Sequence, residues 1–181
     1  NAGTATGCAF GMSAGPASSF TISITGCSAT GTLQPTLAAD AVTDALGNPG
    51  PAADTSATTT LTLDRVAPSV SAFSSAVSSP AKGTSIDYTL TFDEPVSGLA
   101  AADLSNLGSA TGCAFAVSAG PASSFTVTVT GCSTTGTLQP RLAAGGVMDA
   151  AGSAGPASAA DATTTLTLDR VAPAVTAIGL Q

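Results

Sequence analysis

Apolar and polar side chains alternate with a period of two over residues 85–92 of the chain. Ile86, Tyr88, Leu90 and Phe92 take every second position, and the residues between them are Asp or Thr. Because successive side chains of a β-strand point to opposite faces, this pattern predicts a strand with one buried face and one face in water.

A second alternating stretch, residues 125–130, is present twice in the chain. Phe125, Val127 and Val129 alternate with threonines, and residues 20–25 have the same pattern 105 positions upstream. The differences between the two copies exchange one β-branched apolar residue for another, or one hydroxyl residue for another. This is the variation expected of two copies of one half-buried strand.

The likeness extends well beyond that strand. Residues 1–70 and 106–175 differ at 20 of 70 aligned positions, so 50 are identical. The chain is therefore a tandem repeat, with a period of 105 residues that suits one compact domain. The period predicts a complete repeat at 66–170, the C-terminal two-thirds of a preceding repeat at 1–65, and the first strand of a following repeat at 171–181.

Turn-forming Gly, Pro and Ser clusters recur about every ten residues through the complete repeat. Only residues 99–103 suggest a short helical turn. About seven short strands in one repeat predict an all-β fold, an antiparallel β-sandwich. Besides the two alternating stretches, the predicted strands are residues 70–77, 103–107, 113–117, 137–142 and 163–169.

The four cysteines form two pairs with the same spacing of 19 residues, Cys8 with Cys27 and Cys113 with Cys132. Zinc sites group cysteines at spacings of two to four residues, often with histidine, and this chain has neither feature. We therefore predict one disulfide in each repeat. Because disulfides persist mainly outside the cytosol, we also predict an exported protein.

The downstream cysteine pair constrains its hairpin. Direct pairing of Cys113 with Cys132 would set the inward position Phe115 opposite the outward Thr130. A one-residue bulge at Gly131 restores both core faces and is therefore predicted. Closing a loop of this length contributes about 3 kcal/mol to stability.

Successive repeats are joined by a short segment that contains proline. The sequence LDRVAPSV at residues 63–70 recurs as LDRVAPAV at residues 168–175. Pro68 and Pro173 restrict the backbone at the ring and at the residue before it, so we expect a short and rather stiff joint.

Residues 1–65 contain no counterparts of the strands predicted at 70–77 and 85–92. Taken alone, they would expose a large apolar face. Two sources of the missing strands stay open, namely the same chain in a longer array of repeats or another chain by strand complementation.

Three stretches of the chain resemble bacterial immunoglobulin-like repeats, the modules of large exported adhesins and surface fibre proteins. They are FDEPVSGLAAADLS at residues 92–105, AVTDALGNPGPA at residues 41–52 and the joint LDRVAPSV, which is similar to the Asp-x-x-Ala-Pro-x-Val punctuation of such arrays. The resemblance covers the whole chain. It implies tandem immunoglobulin-like sandwiches that serve as spacers or presenting units, often with calcium at the joints.

Composition removes several classes of function. The net charge is −7, with four cations and no histidine, so nucleic acid is not an expected partner. Because the chain has no histidine, it cannot form a Ser-His-Asp or a Cys-His arrangement, and we predict that the protein is not an enzyme. No apolar run is long enough to span a membrane.

Arg141, which replaces Thr36 between copies, is interpreted as a solvated surface charge.

Calcium is the one candidate cofactor, since it takes six to eight oxygen ligands from carboxylates, amides and carbonyls. Asp40, Asp44 and Asn48 lie four residues apart in one loop, but only the aspartate at Asp149 persists in the downstream copy, where VTDALGN becomes VMDAAGS. This loss favours turn-stabilising roles for Asp44 and Asp149.

A second possible calcium site is the joint between repeats. The acidic residues that would converge there are Glu94, Asp103 and the aspartate before each linker, Asp64 or Asp169. The signal is weak, because the chain has no DxDxDG loop.

These observations predict a non-catalytic structural repeat, a stiff and disulfide-stabilised spacer of an extracellular adhesin or fibre on the cell surface. Its expected partners are neighbouring repeats and other copies in a fibre. Two alternatives stay open: a filament subunit assembled by strand complementation, and a glycan- or protein-binding adhesion module that uses the loops that vary between copies.

Overall fold

The computed structural model describes residues 1–179, which form two compact units. The N-terminal unit is Asn1–Val66, and the C-terminal unit begins at Ala67. Both are built of antiparallel strands, which confirms the predicted all-β class. Within residues 1–179 the only helical segment is a 3₁₀ turn, Ala101–Asp103, where a short helical turn was expected.

The N-terminal unit contains short strands that pair locally. They are β1 (Ala9–Met12), β2 (Ile22–Thr25), β3 (Gly31–Leu33), β4 (Thr36–Leu37), β5 (Val42–Thr43), β6 (Pro49–Gly50), β7 (Thr55–Ser56) and β8 (Leu61–Leu63). Strand β1 pairs with β2, β3 with β8, β4 with β7 and β5 with β6.

The C-terminal unit contains a four-stranded sheet and several shorter ones. Its strands are β9 (Val70–Ser74), β10 (Ser85–Val96), β11 (Leu104–Asn106), β12 (Ala114–Val117), β13 (Ala122–Thr130), β14 (Gly136–Leu138), β15 (Pro140–Leu142), β16 (Val147–Met148), β17 (Ala154–Gly155), β18 (Ala160–Asp161) and β19 (Leu166–Leu168). The sheet orders are β12-β13-β10-β9, β11-β15-β18, β14-β19 and β16-β17.

The core of the C-terminal unit lies between the four-stranded sheet and the short sheets, as in a β-sandwich. Strand β10 is central, and its alternate residues from Ile86 to Phe92 are buried, as the period-two pattern predicted. Tyr88 and Leu90 are fully buried, and the Tyr88 hydroxyl donates a hydrogen bond of 3.3 Å to the carbonyl of Leu138 on the opposite layer. This bond satisfies the one polar atom of a large core side chain.

Residues 137–142, predicted as one strand, form parts of two strands that belong to different sheets. Strand β14 pairs with β19, whereas β15 pairs with β11 and β18. The switch occurs at Gln139, whose backbone N–H donates to Asn106 Oδ1 at 2.8 Å and whose side-chain amide donates to the Ala162 carbonyl at 2.8 Å. At Gln139 these two bonds take the place of the backbone hydrogen bonds between paired strands.

The N-terminal unit repeats the pairings of the C-terminal unit residue for residue. Ala9 faces Thr25 as Ala114 faces Thr130, with the same agreement in the other shared pairs of strands. Strand β13, however, pairs with both β12 and β10, whereas β2 pairs with β1 alone among residues 1–179. The N-terminal unit therefore has the repeat's local structure without the strand pair that closes it.

Residues 171–179, the described part of the predicted first strand of a following repeat, form no strand. Val171, Val175 and Ile178 are all exposed there. The last two residues of that prediction, 180 and 181, lie outside the described residues.

Candidate functional site

Both predicted disulfides are present, Cys8 with Cys27 and Cys113 with Cys132, with Cα atoms 4.0 and 4.1 Å apart. In the downstream hairpin Phe115 faces Val129, so the core face is continuous across the two strands. The predicted one-residue bulge at Gly131 is absent, because the Ser133 N–H donates to the Thr111 carbonyl at 2.9 Å and so keeps the register of Ala114 with Thr130 past the cysteines. Gly112 and Gly131 instead both have a φ of +72°, a conformation that favours glycine. Each unit is thus cross-linked within itself.

One asparagine in each unit ties together three parts of the chain. Asn106 Oδ1 accepts hydrogen bonds from the backbone of Gly108 at 3.0 Å and Gln139 at 2.8 Å, while Nδ2 donates to the Ala110 carbonyl at 2.9 Å. Asn1 makes the equivalent three bonds at 3.0, 2.7 and 2.9 Å. Sequence reasoning missed this role, although the identity of Asn in both copies was the available signal.

The joint segment is part of the C-terminal fold from its proline onward. Pro68 is fully buried, and its carbonyl oxygen would lie 2.2 Å from a Cβ at position 155, so Gly155 is required there. Ser69 donates from its N–H and hydroxyl to the two oxygens of Asp93, at 2.8 and 2.7 Å. These two bonds hold the pKa of Asp93 below its usual value, and the bond from the Ser69 hydroxyl has the larger effect. Pro173, by contrast, is exposed.

Three of the four predicted calcium ligands are bonded to nearby backbone. Asp103 Oδ2 accepts from the Ala100 N–H at 2.8 Å and closes the 3₁₀ turn. Asp64 Oδ1 accepts from Val66, and Asp169 Oδ1 from Val171, at 3.0 and 2.9 Å. The structure does not gather Asp103 and Asp169 with Glu94, since neither belongs to the acidic cluster found among the described residues.

Glu94 has a different acidic neighbour, Asp149, which the sequence analysis treated as a turn residue. Their carboxylate oxygens lie within 4.8 Å of each other. Asp149 is only 5% exposed, and its Oδ1 accepts from the Ser153 N–H at 2.7 Å. Its Oδ2 is buried with no hydrogen-bond donor among the described residues. A buried carboxylate oxygen needs a donor or a cation.

The protonation of Asp149 also favours a cation. Burial raises the pKa of Asp149, but hydrogen bonds, chiefly from Ser153, lower it by more, so the net pKa lies below its usual value. An ionised oxygen without a donor, beside a second carboxylate, fits the hard oxygen ligands that Ca²⁺ prefers. Glu94 and Asp149 are therefore the residues that would hold such an ion in the C-terminal unit.

The equivalent loop of the N-terminal unit needs no cation. Asp44 Oδ1 accepts from the N–H groups of Leu46 and Asn48, and its Oδ2 accepts from the Asn48 side-chain amide at 2.8 Å. Asp44 thus has the predicted turn-stabilising role. Asn48 is replaced by Ser153 downstream, so the donor to Oδ2 is lost. Asp40, with φ of 58°, takes the left-handed turn position that glycine occupies in the downstream copy.

Arg141 is an ion-pair partner, which corrects its interpretation as a charge solvated on its own. Its Nε and Nη2 both donate to the Asp161 carboxylate, the second at 2.9 Å. These residues are directly opposite on β15 and β18, and the equivalent pair on β4 and β7 is Thr36 with Ser56, whose hydroxyl oxygens are 2.9 Å apart. Two changes between copies therefore exchange one cross-strand contact for another.

The chemistry of the described residues offers no nucleophile paired with a base. The chain has no histidine, and all four cysteines are in disulfides. Burial raises the pKa of Tyr88 to about 12, and its hydroxyl is committed to the core. Among the described residues there is also no helix long and apolar enough to cross a membrane.

Comparison with known proteins agrees with this architecture. A family model described as "Bacterial Ig-like domain" matches residues 64–167, which contain the whole four-stranded sheet and every buried core residue of the C-terminal unit except Leu168. No curated protein and no solved structure matches the chain. Domains of this family are typically non-catalytic, and the match indicates a structural module of a bacterial surface. Because the match covers more than half of the chain, the protein belongs to the bacterial immunoglobulin-like domain family.

Proposed function

We propose that the chain is a non-catalytic spacer of an extracellular adhesin or fibre, in which disulfide-stabilised repeats follow one another through short joints. The observation that carries this proposal is the fixation of the joint. Pro68 is buried and Ser69 is bonded to Asp93 at two points, so the C-terminal unit orders the chain almost from its first residue. Little free chain is left to act as a hinge.

In this proposal residues 1–65 and 66–170 are successive members of one array, and residues 171–181 open the next member. The shared registers of the two units support this division. The function then depends on length and orientation, since each repeat adds a fixed increment between a cell and whatever the array presents. The two disulfides suit an oxidising, extracellular location.

We also propose that Glu94 and Asp149 hold a Ca²⁺ ion in each complete repeat. The ion would neutralise two nearby carboxylates and link the end of β10 to the loop that follows β16. It would act as a structural cross-link in the C-terminal unit.

Small-angle scattering tests the spacer proposal. The 181-residue chain and versions extended by one and two 105-residue repeats are compared, and we expect the maximum dimension to grow linearly with repeat number. The double variant Pro68→Gly, Asp93→Ala, made at every joint, should loosen the joints and reduce that increment. Asp87→Asn, on the exposed face of β10, is the matched control. A compact, globular profile that hardly lengthens with added repeats would refute the proposal.

A further inference from the structure

We propose that residues 79–83 and 167–170 form an exit clamp, which fixes the direction in which the chain leaves one complete repeat and enters the next. Arg170 is the positioning residue of this clamp. The proposal deepens the proposed spacer function, on which it rests, because a spacer built of successive repeats needs a fixed chain on both sides of each joint.

The clamp begins as backbone pairing between the connection from β9 to β10 and the last strand, β19. The Ala81 N–H donates to the Thr167 carbonyl at 2.8 Å, and the Asp169 N–H donates to the Ala81 carbonyl at 3.2 Å. The Thr167 N–H donates to Ser79 Oγ at 3.0 Å. Ala81 is only 6% exposed and belongs to the core. The pairing is therefore anchored in the packed part of the C-terminal unit.

Arg170 extends the clamp beyond the end of β19. Its two Nη groups donate to the carbonyls of Lys82 and Gly83 at 2.7 and 2.9 Å, and its backbone N–H donates to Thr135 Oγ1 at 3.0 Å. Its Nε is buried and has no acceptor among the described residues, so the two Nη bonds hold the side chain. A planar guanidinium can bind two carbonyls at once, whereas a lysine ammonium lacks this fork.

Little free chain lies between this clamp and the next repeat. The Val171 N–H donates to Asp169 Oδ1 at 2.9 Å, which turns the chain directly after the clamp. Pro173 is the counterpart of Pro68, the buried proline at the entrance of the C-terminal unit. Once the next repeat is folded, only Val171 and Ala172 separate the two fixed ends. So short a segment transmits the direction set at Arg170.

The two halves of the clamp come from opposite ends of the repeat. Arg170 and Lys82 are 88 residues apart in the chain. Bringing them together has an entropic cost that the folded sandwich between them offsets, so the clamp closes only when the repeat has folded. The direction of each joint is therefore set by the folding of the repeat that precedes it.

Residual dipolar couplings test the exit clamp. The 181-residue chain is continued from Gln181 with a copy of residues 77–181, which places a complete repeat on each side of the joint at residues 168–175. The two repeats are isotope-labelled separately by segmental ligation. In the unaltered protein we expect one alignment tensor to fit both repeats. With Arg170→Lys or Arg170→Ala at this joint, the two tensors should differ about twofold or more in magnitude, because domains without a fixed joint reorient independently.

Lys82→Ala is the matched control, because only the carbonyl of Lys82 takes part in the clamp, and this variant should keep the shared tensor. The amide chemical shifts of β10 and β13 report whether the repeat is folded. Arg170→Lys keeps the charge and the aliphatic stem, so it keeps the test valid if Arg170→Ala misfolds.

A shared tensor in the Arg170 variants would overturn the proposal, as would separate tensors in the unaltered protein. Misfolding of both Arg170 variants would show a general role in stability and would also overturn it. If the maximum dimension measured by scattering still grows with each added repeat, the spacer function stands without the clamp. The two proposals can therefore fail separately.

Discussion

The two units show how one sequence pattern acquires two different surfaces. Residues 1–66 are identical to residues 106–171 at 47 of 66 positions and have the same strand registers, yet Phe20 and Ile22 are exposed where Phe125 and Val127 are buried. The difference arises from β9 and β10, which extend the sheet beyond β13 in the C-terminal unit. Local pairing is therefore specified within residues 1–66, whereas burial depends on strands contributed from outside that segment.

The comparison also separates two kinds of change between the copies. Thr36 and Ser56 are exchanged together for Arg141 and Asp161, so the cross-strand contact survives in another form. Asn48 is exchanged for a serine without a compensating donor, and the neighbouring aspartate is left with a buried, unpartnered oxygen. The first change preserves a contact, whereas the second creates a new chemical requirement.

Truncation of the matched phenylalanines should give the largest difference between the units. We expect Phe125→Ala to destabilise the C-terminal unit by about 3 to 5 kcal/mol, because it leaves a cavity beside Phe92 in a closed core. Phe20→Ala should have a much smaller effect on the N-terminal unit, because that ring is partly in water already. Denaturant unfolding with methyl NMR signals from each unit measures both values, and equal losses would refute the contrast.

Removing its disulfide should leave the C-terminal unit folded, whereas the N-terminal unit should lose the order of its hairpin. The variant Cys113→Ser, Cys132→Ser should lose about 3 kcal/mol and remain folded around its core. The variant Cys8→Ser, Cys27→Ser should lose the order of β1 and β2, since β2 has no second partner strand in the described part of the chain. Chemical-shift dispersion of the two hairpins is the measurement. A well-ordered β1 in the second variant would contradict the expectation.

The elements found from sequence are those whose signal is local. Alternation located β10 and β13, and the 19-residue spacing located both disulfides. The switch of sheet at Gln139 was not predictable, because it depends on a hydrogen bond to Asn106, 33 residues away. The two-residue strands β16, β17 and β18 are too short to show a period.

The candidate calcium site likewise depends on contacts between residues distant in sequence, which local patterns do not predict. Asp44 and Asp149 occupy equivalent positions in similar loops, yet one is exposed and the other is buried beside Glu94. The position of Glu94 relative to Asp149 is set by packing between strands distant in sequence. Local sequence therefore revealed the turn and not the carboxylate pair.

Alkaline titration should distinguish the units through Tyr88, the only tyrosine of the chain. Burial raises its pKa from 10.0 to about 12, so its contribution to stability is fully present below pH 10 and is lost as the pH rises through about 12. We expect tyrosinate absorbance to appear together with unfolding of the C-terminal unit. Tyr88→Phe should remove this transition at a cost of about 1 kcal/mol near neutral pH. Titration near pH 10 without unfolding would contradict the assignment.

Calcium should raise the unfolding midpoint of the C-terminal unit by a few degrees and leave the N-terminal unit unchanged. Glu94→Gln and Asp149→Asn should each remove the response, because each takes away one carboxylate ligand. Ser153→Asn should stabilise the loop without calcium by restoring the amide donor that Asn48 provides to Asp44. Calorimetry in calcium, with sodium chloride at equal ionic strength as the control, measures these shifts. A calcium response that persists in Asp149→Asn would refute the site.

The exchanged cross-strand pair should give the smallest effect. Returning Arg141→Thr and Asp161→Ser together rebuilds the hydroxyl contact of β4 and β7, so we expect the unfolding midpoint to change little. Either single change should cost more than the double change, because it leaves one charge without its partner. The bond from Arg141 lowers the pKa of Asp161, so the ion pair's contribution is present above the usual aspartate range and is lost as the pH falls through the lowered value. Its loss in about 1 M salt would confirm a surface ion pair, and additive single variants would show that the two substitutions are independent.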